Sequence, residues 1–356
     1  MLHVVLLLVC AVVIYLACEW FVNAVEWLGV RLELGPIAVG TVLAAAGTAL
    51  PESVVTFVAV LFGSPEQGKD VGVGAALGGP LVVGTISYGV AGAVLLLRRR
   101  RASSRTAVPV PPAARVRGVL EPPPLEISDG DLGTTDTERL ARDQVWFLVI
   151  FAAKVALGLV AFALKPWLGW LFLAAYAVYF RREVAGSRAR ASDQDLEPLR
   201  LQRRRPSPST FAVVAQTLVT LVIIFAASQL FVQQLEWAGP ALGLPAAVVA
   251  LLLAPIATEL PETMNAIIWV RQGKVELALA NLSGSMMIQA TVPSALGLFF
   301  TPWLFTAPLV LAAITTMAAV GYLLLLLRRG WMTPGRLAAA ALFYVAFALA
   351  LVVART

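Results

Sequence analysis

The chain has 356 residues, 59% of them apolar and 13% charged, with a mean hydropathy of +0.83. That composition excludes a soluble domain and indicates an integral membrane protein. The net charge of +6 does not argue for a nucleic-acid partner, because the basic residues sit between apolar runs, where membrane topology accounts for them.

Runs long enough to span a bilayer are, in chain order, 2–28, 34–62, 71–97, 144–164, 166–183, 210–236, 241–270, 275–300, 303–327 and 334–354. The first lacks a basic leader region and continues into Glu26-Trp27, so it reads as a retained helix. Both cysteines, Cys10 and Cys18, lie in it, and apolar thiols in a helix are packing groups rather than a disulfide framework. Glu19, Asn23 and Glu26 form one polar stripe there, mirrored by Gln229, Gln233 and Glu236. Glu26-Trp27 and Glu236-Trp237 read as interfacial anchors. Lys154 lies deep in the fourth run, where charge pairing and snorkelling stay equally open. His3 is the only histidine. There is no nucleophilic triad, phosphate loop or Cys/His metal spacing, so an enzyme is not expected and no cofactor is implied.

Alternate connections hold 23 of the 27 basic residues, including Arg98-Arg99-Arg100-Arg101 and Arg203-Arg204-Arg205. By the positive-inside rule these connections are cytoplasmic and both termini lie on the non-cytoplasmic side of a plasma or inner membrane. The expected division is helices 1–3 over 1–97, a largely disordered cytoplasmic linker over 98–142, helices 4–5 over 143–184, a second linker over 185–209, helices 6–8 over 210–300, and helices 9–10 over 301–356.

The chain is duplicated. At an offset of 210, residues 15–52 align with 225–262 without a gap, and 15 of the 38 pairs are identical. Five helices per copy, an odd number, put the copies in opposite orientation. The expected fold is therefore all-α, with ten transmembrane helices in two inverted five-helix repeats.

The aligned copies end on Gly47-Thr48-Ala49-Leu50-Pro51-Glu52 and Ala257-Thr258-Glu259-Leu260-Pro261-Glu262. Pro51 and Pro261 have no N–H for the carbonyls of Gly47 and Ala257, and Pro255 has none for Leu251. A broken helix at membrane depth is tolerated where it lines a cavity or is buried in protein. Thr48 and Glu52 are four apart and share a helix face, as do Thr258 and Glu262. Carboxylate, hydroxyl and freed carbonyl are hard oxygen ligands suited to Ca2+ or Na+. Paired broken helices in two halves mark a transporter's substrate site.

These two motifs resemble the G-T-S-L-P-E cores of the two alpha-repeats of the sodium/calcium exchanger (calcium/cation antiporter) superfamily. Asp70-Val71-Gly72-Val73-Gly74 and Glu276 to Asn281 resemble its lead into the next helix, and Leu282-Ser283-Gly284-Ser285 resembles the v-x-G-S that follows. The resemblance implies alternating-access exchange of Ca2+ against Na+ or H+ through the bilayer, with the first and sixth helices sliding across the core. The implied ligands are Thr48, Glu52, Thr258, Glu262, Ser285 and the backbone oxygens of Ala45 and Pro255. Glu52 and Glu262 would hold the metal ion.

The sequence also departs from that pattern. Ala49 and Glu259 replace the serine after each threonine, Gly78 to Val83 lack the repeat-one hydroxyl and amide ligands at Gly79 and Val83, and Gln289 stands at the final Asn or Asp position of repeat two. Glu259, three residues from Glu262, adds a third carboxylate. Two close carboxylates disfavour double ionisation, which suits proton coupling. The alternatives are a transport-inactive paralogue acting as a membrane scaffold or sensor through its linkers, and an exporter of another substrate. The sequence does not specify an oligomeric state.

Overall fold

A computed structural model describes residues 2–49, 53, 67–106, 134–161, 164–187, 196–241 and 252–353. Leu50, Pro51 and Glu52 lie outside the described residues, as do the linker stretches 107–133 and 188–195. No strand occurs among the described residues.

Helix α1 is Leu2–Arg31. Helix α2 starts at Pro36–Ala38, widens into a π-helical Val39–Ala44 and continues to Ala49. Helix α3 is Gln67–Val82 and Tyr88–Thr106 joined by a π-helical Val83–Ser87. Helices α4, α5 and α6 are Thr134–Leu159, Gly169–Ser187 and Thr210–Ala241. Helix α7 is broken into Ala254–Thr258 and Leu260–Gln272. Helices α8 and α9 are Val275–Phe300 and Ala307–Arg328, and α10 is Pro334–Ala338 followed by Ala341–Val353.

Proline opens α2, both parts of α7, α9 and α10, positions where its missing N–H costs nothing. Gly273 closes α7 with a φ of 86°, a left-handed cap that suits glycine. Five helices among the described residues are long and apolar enough to cross a membrane by length and composition: α1, most of α3 and α6, α9 and α10. Helices α3 and α4 run beyond their apolar stretches, to Thr106 and back to Thr134, so residues assigned to the linker on hydropathy are helical. Arginine is a good helix former and lets the backbone continue past the apolar run.

The duplication is visible as packing. Helices α1 and α6, which contain aligned segments of the two copies, lie side by side and antiparallel. His3 stacks on Trp237 at 3.6 Å, while Gln216 Nε2 donates to the Trp20 carbonyl at 2.8 Å. Helix α2 of the first copy packs on α8 of the second, and α7 of the second packs on α3 of the first. Small residues make both crossings close, as expected where lipid supplies no hydrophobic drive between helices. A Cβ on Gly284 of α8 would lie 2.5 Å from Thr41 Cα of α2, one on Gly40 would lie 2.8 Å from Ala280 Cβ, and one on Gly78 of α3 would lie 2.7 Å from Pro255 Cγ.

Lys154 does not snorkel. It is fully buried, and its ammonium donates to the Ala76 carbonyl of α3 at 2.7 Å, 4.5 Å from the Phe151 ring centroid. At the same end of the molecule, Lys165 donates to the carbonyls of Val160, Pro302 and Trp303, and Trp303 Nε1 donates to the Lys154 carbonyl. Arginines occupy the other end, where Arg98 donates to the Val270 carbonyl and so ties α3 to α7.

Replacing Gly284 by Val should force α2 and α8 apart. Overpacking of this kind costs about 1–3 kcal/mol or more. The expected outcome is a clear fall in the thermal unfolding midpoint of the purified protein, with Gly321→Ala, which meets nothing within 4 Å, close to unchanged.

Candidate cation-binding site

The break in α7 results from a run of local choices. Pro255 and Pro261 bracket Glu259, whose φ of −87° and ψ of 8° leave the helix. The first part therefore ends on carbonyls beside Glu259. The second part begins at Leu260, which puts Glu262 in its first turn. The positive end of the Leu260–Gln272 dipole lies at Glu262, and the carbonyl end of Ala254–Thr258 lies beside Glu259. Glu259 is 0% exposed and Glu262 is 1% exposed.

Helix α8 supplies the facing wall. Asn281, Ser285 and Gln289 are spaced by four, share one face and are all buried. Gln289 Nε2 donates to Glu259 Oε2 at 2.6 Å, and Asn281 Nδ2 approaches the Glu262 carbonyl oxygen at 3.5 Å. Asn265, one turn beyond Glu262 on α7, has no hydrogen-bond partner for either atom of its amide, and the same is true of Asn281 Oδ1 and Ser285 Oγ. A buried polar atom left unpaired costs about 1–3 kcal/mol on protein scales, so these unpaired oxygens on α7 and α8 fit a polar or charged guest. Asn265 and Asn281 were not among the ligands expected from sequence. The signal for Asn265 was its i+3 spacing from Glu262, and for Asn281 its i−4 spacing from Ser285.

The threonine hydroxyls turn inward on their own helices. Thr48 donates to the Ala44 carbonyl at 3.2 Å and Thr258 to the Pro255 carbonyl at 3.1 Å, each keeping oxygen lone pairs. The Pro255 oxygen also accepts from the Glu259 N–H at 3.1 Å, so in this conformation it already has two donors. Ala45 is buried with Ala49 against Ile288 of α8, which holds that part of α2 on the wall carrying Ser285 and Gln289. On the α3 side, Gly78 lies against Pro255 and Val83 is buried, while Ser87 Oγ and Thr263 Oγ1 share a hydrogen bond at 2.7 Å. The repeat-one oxygens missing at Gly79 and Val83 are thus not replaced in place, and α3 brings a hydroxyl to α7 one turn further on. Among the described residues no three His, Cys, Asp or Glu side chains converge.

Helix α1 covers the break. Cys18 Sγ faces the Pro261 carbonyl at 3.8 Å. Glu26 is 6% exposed, which corrects its reading as a headgroup anchor. One of its oxygens accepts from Trp269 Nε1 at 2.8 Å, and the other meets Lys274 Nζ at 2.5 Å, so it joins α1 to the end of α7. Trp27 Nε1 donates to the Glu197 carbonyl at 2.9 Å. Trp237 is half exposed and stacks on His3. Neither ring nor carboxylate in the sequence indicated that Glu26 would meet a lysine 248 positions away.

Inverted repeats, an intramembrane helix break and buried carboxylates define an ion-transporting membrane protein. Residues 2–181 and 212–354 match the family model described as sodium/calcium exchanger protein, and the chain belongs to that family. Its general activity is therefore cation antiport, and the family is one of transporters rather than enzymes. No curated protein matches the chain as a relative. Among solved structures it is similar to the sodium-calcium exchanger NCX_Mj. The form soaked with 10 mM Na+ and no Ca2+ matches at 16% identity and a TM-score of 0.69, over 97% of each chain. The form without Na+ and Ca2+ matches at 18% identity and 0.69, over 98% of this chain and 99% of that one. At such identities the likeness establishes the fold.

Lys274→Gln in a Cys10→Ala background should loosen α1 from α7. If the ion pair is worth about 1.4 kcal/mol, modification of Cys18 by a membrane-permeant maleimide should accelerate roughly tenfold.

Proposed function

We propose that the protein is a secondary active antiporter exchanging Ca2+, or a related cation, against Na+ or H+ by alternating access. The observation that carries this reading is Glu262, buried in the first turn of a helix that restarts inside the molecule, beside Glu259 and opposite the Asn281, Ser285 and Gln289 face. A carboxylate in a bilayer core is retained for a partner or a task, at a cost of about 2.5–3.5 kcal/mol on insertion scales. A cation in transit supplies that task. Glu262, Glu259, Thr258, Ser285, Gln289 and the Pro255 oxygen form the repeat-two half of the site, with Asn265 and Asn281 added. Thr48, Glu52 and the Ala45 oxygen form the repeat-one half. The arginine-bearing end faces the cytoplasm of a plasma or inner membrane.

The gating elements follow from the packing. Helices α1 and α6 contact each other along much of their length, and the 196–209 segment straps them together. Asn23 donates to the carbonyls of Glu197 and Pro198, Arg31 to that of Pro208, and Gln216 Oε1 accepts from the Leu201 N–H. The pair can then slide as one body over α7, with the Glu26–Lys274 contact made on one side of the cycle.

The test is 45Ca2+ uptake into proteoliposomes loaded with Na+, with an outward proton gradient, or with neither. Uptake driven by one gradient, reduced to the empty-liposome level by Glu262→Gln or Glu52→Gln, is the expected result and identifies the coupling ion. Asn281→Ala should raise the apparent Ca2+ requirement about tenfold, the loss of about 1.4 kcal/mol of coordination. Folded protein that moves Ca2+ under no gradient would reject the proposal in favour of a scaffold or another substrate.

A further inference from the structure

A second group of buried polar side chains lies away from the α7 break, at the arginine-bearing end of the core. Asp143 of α4 stands just before the apolar run that begins at residue 144. It is 1% exposed, and neither carboxylate oxygen has a hydrogen-bond partner. Two buried neighbours are in the same position, Gln144 Oε1 and the Tyr179 hydroxyl of α5. Glu183 of α5 is different. Its Oε2 accepts from Arg139 Nη2 at 2.5 Å, from Arg139 Nε at 3.0 Å and from the Thr41 hydroxyl of α2 at 3.3 Å. Gln144 Nε2 donates to the Tyr88 hydroxyl of α3 at 2.9 Å and reaches Ser283 of α8 at 3.5 Å.

A carboxylate buried without a donor must be neutralised. The charged groups that act on Asp143 are Glu183 from α5 and Arg139 and Arg142 from its own helix, and the titratable hydroxyls beside it are Tyr88 and Tyr179. Helices α2 and α8 present Thr41 and Ser283. The nearest buried cation, Arg139, is already engaged by Glu183. A divalent ion would need more anionic ligands than converge here. A proton needs one acceptor, and a protonated carboxyl can donate to an oxygen such as Gln144 Oε1 or the Tyr179 hydroxyl.

We propose that Asp143 is a proton-binding site separate from the exchange site, and that its occupancy is passed to α2 through Arg139, Glu183 and Thr41. Arg139 and Asp143 are four residues apart and share a face of α4. When the proton leaves, two buried carboxylates compete for one guanidinium. The Arg139–Glu183 pair weakens, and with it the hold on Thr41, seven residues before Thr48. Acidic conditions at this end of the molecule therefore pin α2, and alkaline conditions release it.

The test exploits composition. The carboxylates of the proposed exchange site, Glu52, Glu259 and Glu262, are all glutamates, so a carboxyl-carbon isotope label on aspartate reports on Asp143 and not on them. Infrared spectra of the labelled, reconstituted protein at neutral pH should show the isotope-shifted carbonyl band of a protonated aspartic acid. Asp143→Asn should remove the band and Asp70→Asn should leave it. Glu183→Gln takes away the competing carboxylate and should move the loss of the band to at least about tenfold higher proton concentration. If Asp143→Asn does not fold, that shift in the Glu183→Gln protein carries the assignment, because Glu183 acts directly on Asp143. Absence of the band in the unmodified protein, survival of the band in Asp143→Asn, or no shift in Glu183→Gln would overturn the proposal. So would a band that fades on adding Na+ at constant pH, since the neutralising ligand would then be an alkali ion.

Discussion

Keeping two carboxylates inside a membrane is the constraint on which the rest of this molecule depends. Glu259 and Glu262 are both buried, three residues apart across the break in α7, and neither is tolerable in an apolar helix without compensating dipoles. The break at Glu259 supplies one, since it places Glu262 at the positive end of a new helix. The Asn281, Ser285 and Gln289 face of α8 supplies the others. Because α8 must approach closely, its contacts with α2 are made through Gly284, Gly40 and Ala280. The small-residue crossings therefore serve the charged site as much as the packing of the bundle.

The two-fold plan carries the same constraint to the other half of the chain. The described part of α2 is braced by α8 of the opposite repeat, and the broken α7 by α3. Helices α1 and α6 stand outside that exchange, antiparallel and tied to each other by the 196–209 strap. Among the described residues, Glu26 with Trp269 and Lys274 is the best defined of their polar contacts with the core.

Residues at the α7 break were legible because their chemistry is written locally. A proline immediately before a glutamate inside an apolar run is a statement about one stretch of chain, and the duplication repeats it. Ser285 and Gln289 could be placed by their spacing along a single helix. Asn265 and Asn281 obey the same spacings but carry no charge, so nothing marked them out from packing amides. Glu26 was misjudged for the opposite reason. Glutamate beside tryptophan near a helix end is a common interfacial pairing, and its true partner comes from the far side of the chain. Asp143 and Glu183 fall near the edges of apolar runs, where hydropathy treats a charge as solvated.

The sequence by itself determined the membrane class, the ten apolar runs, the inverted duplication and the positions of the prolines and glutamates, because each depends on composition or on periodicity within one helix. Tertiary structure decided which polar residues are buried and whom they meet: Gln289 with Glu259, Lys274 with Glu26, Lys154 with the Ala76 carbonyl, and Asp143 with no donor. Those pairings join residues up to 248 positions apart, and in a bundle of antiparallel helices the register between neighbours is set by side-chain packing across every interface at once, which no single stretch of the chain contains.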